Sequence, residues 1–232
     1  MKKGFLYSVF IFSVLIMSCT SNKVENTDAE INDSYDYSEV KVIETPEKSS
    51  DFIGDFGPIQ MENLMVLQKS KGSVKPKEIK SVYLIPRTNS IELQFRDGLN
   101  IICIILDKTE RDKIAAACNI FLTQYEERTL PHHKINSKTA YMNSKCSLWF
   151  GVSGPTMGSE KNDYYVNCEF IDKTPYLLIH FSPSRTTTNE FTPKVSIYLS
   201  PSQIRTFLEQ IKQENLEALV KTLEEKAYTY EQ

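Results

Sequence analysis

The chain has 232 residues, with 27 basic and 30 acidic side chains and a formal net charge of −3. The acidic excess sits in one stretch: residues 20–51 hold nine acids against three lysines, whereas from Phe52 onward 22 bases face 21 acids. A folded part so close to neutral excludes a general nucleic-acid-binding surface, which needs a strong basic excess.

The first residues read as an export signal. Lys2 and Lys3 precede an apolar run from Phe5 to Met17, and Ser18 offers a small residue before a cleavage point. The run is shorter than the roughly 20 residues a membrane-spanning helix requires. Leu15-Ile16-Met17-Ser18-Cys19 resembles the lipobox of bacterial lipoproteins. The resemblance implies removal of residues 1–18, a diacylglycerol thioether on Cys19 and acylation of the new amino group. The membrane partner is then the bacterial envelope, reached through Cys19. Thr20 in place of an aspartate, by resemblance to enteric lipoproteins, implies the outer membrane. An ordinary secretory signal would want a small residue at position 16 as well, and Ile16 is not one.

Residues 19–51 then form an acidic tether. Polar residues dominate, apolar ones follow no period, and such a segment cannot bury enough surface to offset its ordering entropy. Its like charges extend it. Tyr35 and Tyr37 read as exposed linker residues or, alternatively, as a docking point.

About 180 residues remain, enough for one sizeable core or two small ones. Ile91, Leu93 and Phe95 alternate with Glu92, Gln94 and Arg96, the period of a strand with one wet face. Asp97-Gly98 supplies a tight turn, which sets Leu93 opposite Ile102 and Ile91 opposite Ile104. A helix follows, capped by Asp107 with Glu110 three residues on. Ile114, Ala117, Cys118, Phe121 and Tyr125 make its inward stripe. The same phrase recurs: a strand over Val195, Ile197 and Leu199, a Ser200 cap, Pro201 in the first turn and Gln203 as the reciprocal partner. Each helix is preceded by about four strand-like runs. The expected fold is therefore α+β, two tandem ββββα-like units at 52–130 and 131–232 packed together. That plan is similar to the duplicated arrangement of the Whirly and PUR-type nucleic-acid-binding families, a likeness of plan without any of their motifs.

No motif points to a reaction. Cys103, Cys118, Cys146 and Cys168 match no zinc spacing, and His132-His133 point to opposite sides of an extended chain. Gly151-Val152-Ser153-Gly154 departs from a nucleophile elbow, because its second glycine comes one residue early. The expectation is no catalytic residue, no metal and no cofactor. Lys69, Lys71, Lys75, Lys77 and Lys80 cluster around Gly72, as a solvated loop or an anion site. Cys103 and Cys118 read as small buried apolar residues. Cys146 and Cys168 are a candidate disulfide: a hairpin centred on Met157 sets them opposite one another, the alternative being two reduced core thiols.

The remaining signal is aromatic. Trp149, Tyr165, Tyr176 and Tyr198 alternate with core-type residues and share one strand face with His180 and Glu169. Such a face suits a protein interface or stacking on sugars, or else it packs against the first unit. The resulting reading is an envelope lipoprotein whose folded part binds a partner protein or envelope polymer. The alternative is an envelope hydrolase acting on glycan or peptidoglycan. Cys19→Ala is expected to abolish metabolic fatty-acid labelling and release the protein from membranes; labelling that persists in the variant contradicts the lipobox.

Overall fold

The fold is α+β as expected, with antiparallel strands and three α-helices among the described residues, one more than the two strand-then-helix phrases of the sequence. The computed structural model describes residues 51–70 and 72–230; the signal, Cys19 and almost all of the tether lie outside the described residues. The strands are β1 (Ile59–Gln60), β2 (Leu64–Ser70), β3 (Ser73–Ile79), β4 (Ser81–Ile85), β5 (Ser90–Asp97) and β6 (Asn100–Leu106). After α1 (Lys108–Glu127) come β7 (Met142–Gly151), β8 (Met157–Ile171), β9 (Thr174–Phe181) and β10 (Val195–Leu199), then α2 (Pro201–Ile211) and α3 (Gln213–Tyr230). All ten strands join one sheet in the order β1-β4-β5-β6-β7-β8-β9-β10-β2-β3.

The two strand-then-helix phrases are both present, and they meet edge to edge rather than face to face. β6 pairs with β7 from Ile101 opposite Gly151 to Ile105 opposite Ser147. At the far side β2 pairs with β10 through Leu67 and Tyr198. β3 therefore closes one end of the order while β4 lies next to the other, yet only Lys80 separates them in the chain. A one-residue link cannot span a flat sheet of this width, at about 4.8 Å per strand, so the sheet curls until its ends approach. Lys77 Nζ donates to the Arg96 carbonyl at 2.9 Å, and Gln60 Nε2 to the Lys80 carbonyl at 2.8 Å, fastening that seam.

Two registers differ from the sequence expectation. In the β5–β6 hairpin Leu93 faces Ile104 and Ile91 faces Leu106. The turn is Gly98-Leu99, with Gly98 at φ +60°. Only the first turn residue needs a positive φ, which glycine supplies without strain. The β7–β8 register corrects the disulfide pairing: Cys146 faces Asn162, and Cys168 faces Leu177 of β9. The chain turns within 152–156, so Met157 already pairs with Phe150 instead of sitting at the apex. That slides Cys168 six places along β8 from Asn162, about 20 Å at the rise of a strand, far beyond disulfide reach. All four described cysteines are free and buried. The β5–β6 error is an even shift of two and the β7–β8 error an even shift of six as far as Cys146, which leaves those side chains on their expected faces; beyond the bulge between Cys146 and Leu148 the β7–β8 shift is odd.

One face of the sheet meets the helices in a continuous core from Leu64 of β2 to Val220 of α3. The stripe Ile114, Ala117, Cys118 and Phe121 is buried as expected, while Tyr125 at its end is 40% exposed. The α2 cap forms in full, with Ser200 Oγ accepting from the Gln203 amide and Gln203 Oε1 accepting from the Ser200 amide. The α1 cap is half-formed. Asp107 accepts from the Glu110 amide at 2.8 Å, but the Glu110 carboxylate turns inward and accepts from Tyr164, Lys113 and Ser144. Burial raises the Glu110 pKa, and these three donors outweigh it, holding the group below its ordinary value.

Arg111 locks α1 to the rest. It is 1% exposed and donates to the Ile211 carbonyl at the end of α2 (2.9 Å), to Gln213 Oε1 (3.0 Å), and to both the carbonyl and Oδ1 of Asn89 (2.9 and 2.7 Å). Arg111→Met is expected to leave these buried acceptors unpaired and cost about 3 kcal/mol of unfolding free energy, read from the midpoint of urea denaturation. A midpoint unchanged from the native chain contradicts this role.

Candidate functional site

On the sheet face away from the helix-packed core, the strand registers lay polar and aromatic side chains in rows. Tyr165, His180 and Ser196 stand side by side on β8, β9 and β10. The next row runs Asn167, Leu178, Tyr198 and Leu67. Glu169 and Tyr176 form a third. Ile171, Leu178 and Tyr198 nucleate a small second core under this surface, with Tyr176, Tyr165 and Ile135 packed against it.

The rows wall a cavity of about 630 Å³, completed by Lys69 and its neighbours from β2, Lys194, and Asp97 from the tip of β5. Asp97 reaches β2 and β8–β10 because the sheet curls. The segment before β7 is anchored across this face by fully buried Asn167, whose Nδ2 donates to the Asn136 carbonyl at 3.2 Å, placing Ile135 in the wall.

Both oxygens of Glu169 are engaged. Lys69 Nζ donates to Oε1 at 2.5 Å, and the Tyr198 hydroxyl donates to Oε2 at 2.8 Å. Burial pushes the Tyr198 hydroxyl pKa up, and its bond to Glu169 adds to that. His180 pairs with the Ser196 hydroxyl at 2.8 Å through Nδ1, and its ring lies 4.8 Å from that of Tyr165. Burial lowers the His180 pKa and the Lys194 charge lowers it further, against a smaller pull from Glu169.

Four of the residues that the sequence put on this face, Tyr165, Glu169, His180 and Tyr198, meet in this cavity. Tyr176 packs on the second core outside the lining. Trp149 stands apart: it faces Cys103 on β6 and Gly158 on β8. A Cβ at position 158 would fall 2.7 Å from the Trp149 ring, so glycine is needed there for close approach. Ile101, Cys103 and Ile105 thus lie beside the aromatic residues in one sheet, not stacked over them. The sequence reading missed Lys69, Lys194, Ser196 and Asp97. Alternation along β10 would have given Ser196; Lys69 needed the non-consecutive β2–β10 pairing. The lysine cluster, read as a loop, is mostly the β2–β3 hairpin. Among the described residues no cluster of three His, Cys, Asp or Glu side chains could hold a metal ion, and no helix is long and apolar enough to cross a membrane.

Fold and site together define an α+β protein with a curled ten-stranded antiparallel sheet, helices on one face and a polar, aromatic-walled cavity on the other. The chain belongs to the family described as uncharacterised Treponema protein, whose model matches residues 58–218 and so takes in every strand. An uncharacterised protein of Treponema pallidum (strain Nichols) is 24% identical over 169 residues, covering 73% of this chain and 60% of that protein. The match therefore spans less than two thirds of the relative's length. A solved structure, complement regulator-acquiring surface protein 3 of Borrelia burgdorferi, aligns over 66% of this chain and 96% of that one. At 10% identity and a TM-score of 0.27 this likeness carries no argument about fold or function.

His180 gives the site a pH signature. An unfolded histidine titrates near 6.5, and the folded value lies below it. Between the two the unfolded chain binds more protons, so the contribution to stability is full above pH 6.5 and is lost as pH falls through the folded value. The His180 imidazole is expected to titrate below 6.5 by NMR, moving up in Lys194→Gln; a midpoint above 6.5 contradicts the buried environment.

Proposed function

We propose that the protein is a cell-envelope lipoprotein anchored through Cys19, and that its folded part is a binding module for a partner protein or envelope polymer docking at the aromatic-walled cavity. The observation that carries the reading is the state of the side chains there. Glu169 accepts from Lys69 and Tyr198, and His180 is bonded to Ser196. These partners fix both side chains in the wall of a pocket with aromatic faces and hydroxyl, amide and ammonium donors, the composition of a recognition site.

The test is an amide NMR titration of the folded protein with solubilised muropeptides. Shifts are expected to centre on Tyr165, His180, Ser196 and Tyr198. Tyr165→Ala is expected to weaken binding about tenfold, the effect of losing one aromatic contact worth roughly 1.4 kcal/mol. Shifts confined to the Trp149 region would contradict the cavity as the site, and cleavage of the muropeptide would establish the hydrolase instead.

A further inference from the structure

We propose that the end of the sheet bearing its four hairpin loops docks on an anionic lipid surface, inserting two apolar loop tips between flanking basic side chains. The topology gathers these loops. Ile101 faces Gly151, so the β5–β6 tip and the β7–β8 turn are neighbours. The β9–β10 connection runs along β8 toward the same end, held by the Ser182 amide donating to the Asp163 carbonyl at 2.9 Å. β2 runs antiparallel to β10, which brings the β2–β3 tip beside the start of β10.

Leu99 and Val152, at the apices of the two adjacent loops, are 77% and 62% exposed, the most exposed large apolar side chains described. Phe191, on the β9–β10 connection, is 59% exposed. Phe191 is paired with Arg185, whose guanidinium lies 5.4 Å from its ring, so it stands on the stem of its loop and not at the tip. Isolated exposed apolar residues are ordinary; two adjacent apolar tips at one end of a sheet form a patterned surface.

Charge selects the occupant. Apart from Lys69, Lys194 and Asp97, which belong to the cavity wall, residues 69–77, 94–101, 150–161 and 182–194 contain five described basic residues and two acids, although the folded part as a whole is close to neutral. Lys77, bonded to the Arg96 carbonyl, holds the lysine-bearing β2–β3 hairpin beside the Leu99 tip. Apolar tips that enter the headgroup region, ringed by ammonium and guanidinium groups that meet lipid phosphates, suit an anionic bilayer surface. This docking neither uses the cavity nor requires the lipid on Cys19.

The test is cosedimentation of the unlipidated chain beginning at Thr20 with vesicles of phosphatidylcholine containing phosphatidylglycerol, alongside phosphatidylcholine alone. Binding is expected to the anionic vesicles only, and to fall as added salt screens the charges. Leu99→Ser with Val152→Ser, and separately Lys75→Glu with Arg96→Glu, are each expected to weaken binding about tenfold. The circular dichroism melt should stay unchanged, because all four positions are exposed. No binding by the native chain, equal binding to neutral vesicles, or binding that neither pair of substitutions alters overturns the proposal.

Discussion

The fold turns on one residue of chain. Lys80 alone joins β3 to β4, strands that stand near opposite ends of a ten-strand order. A flat sheet would put tens of ångströms between them, at roughly 4.8 Å per strand, so the link is satisfied only if the sheet curls. Curling gives the helices a continuous apolar face to pack against. It also carries the tip of β5 to the strands that wall the cavity, so Asp97 and Lys69 line one space. Seam and site are consequences of the same constraint.

The buried polar groups fix how the helices sit on that sheet. Arg111 ties α1 to the β4–β5 turn and to the α2–α3 junction, and Glu110 ties it to β7 and β8 through Ser144 and Tyr164. Burying a charge is costly unless its hydrogen bonds are met. Each of these side chains has several bonds in place, although Arg111 Nε has none. Neighbouring positions on one helical turn thereby engage both sequence halves. On the far face the Lys69–Glu169–Tyr198 cluster links β2 to β8 and β10, giving the cavity wall a fixed shape where no helix backs it.

Local chemistry was legible in the sequence, and long-range connection was not. Asp107 and Ser200 start their helices, and the stripe from Ile114 to Phe121 is buried, because caps and periodicity act within a few residues. Alternation put the cysteines and aromatic residues on their correct faces, since the face of a side chain follows from its own strand's period of two whichever residue it pairs with. The β7–β8 register itself failed: turn position depends on how Gly151 and Gly154 pass one another and on a bulge between Cys146 and Leu148, neither of which has a distinct residue signature. Two tandem units were the economical reading of a repeated phrase. The single sheet arises from β6–β7 and β10–β2 pairing, and nothing local to those strands names their partners. The cavity was half legible for the same reason, with Tyr165, His180 and Tyr198 given by alternation and Lys69 and Asp97 supplied by topology.

The central claim is that both halves of the folded chain form one sheet closed through Lys80. Native-state amide hydrogen exchange with increasing denaturant tests it most directly. One sheet predicts that the most protected amides of β5–β6, β7–β9 and β10–β2 converge on a single unfolding free energy and exchange in one cooperative event. Separate exchange of residues 52–130 and 131–232, each with its own unfolding free energy, would contradict it.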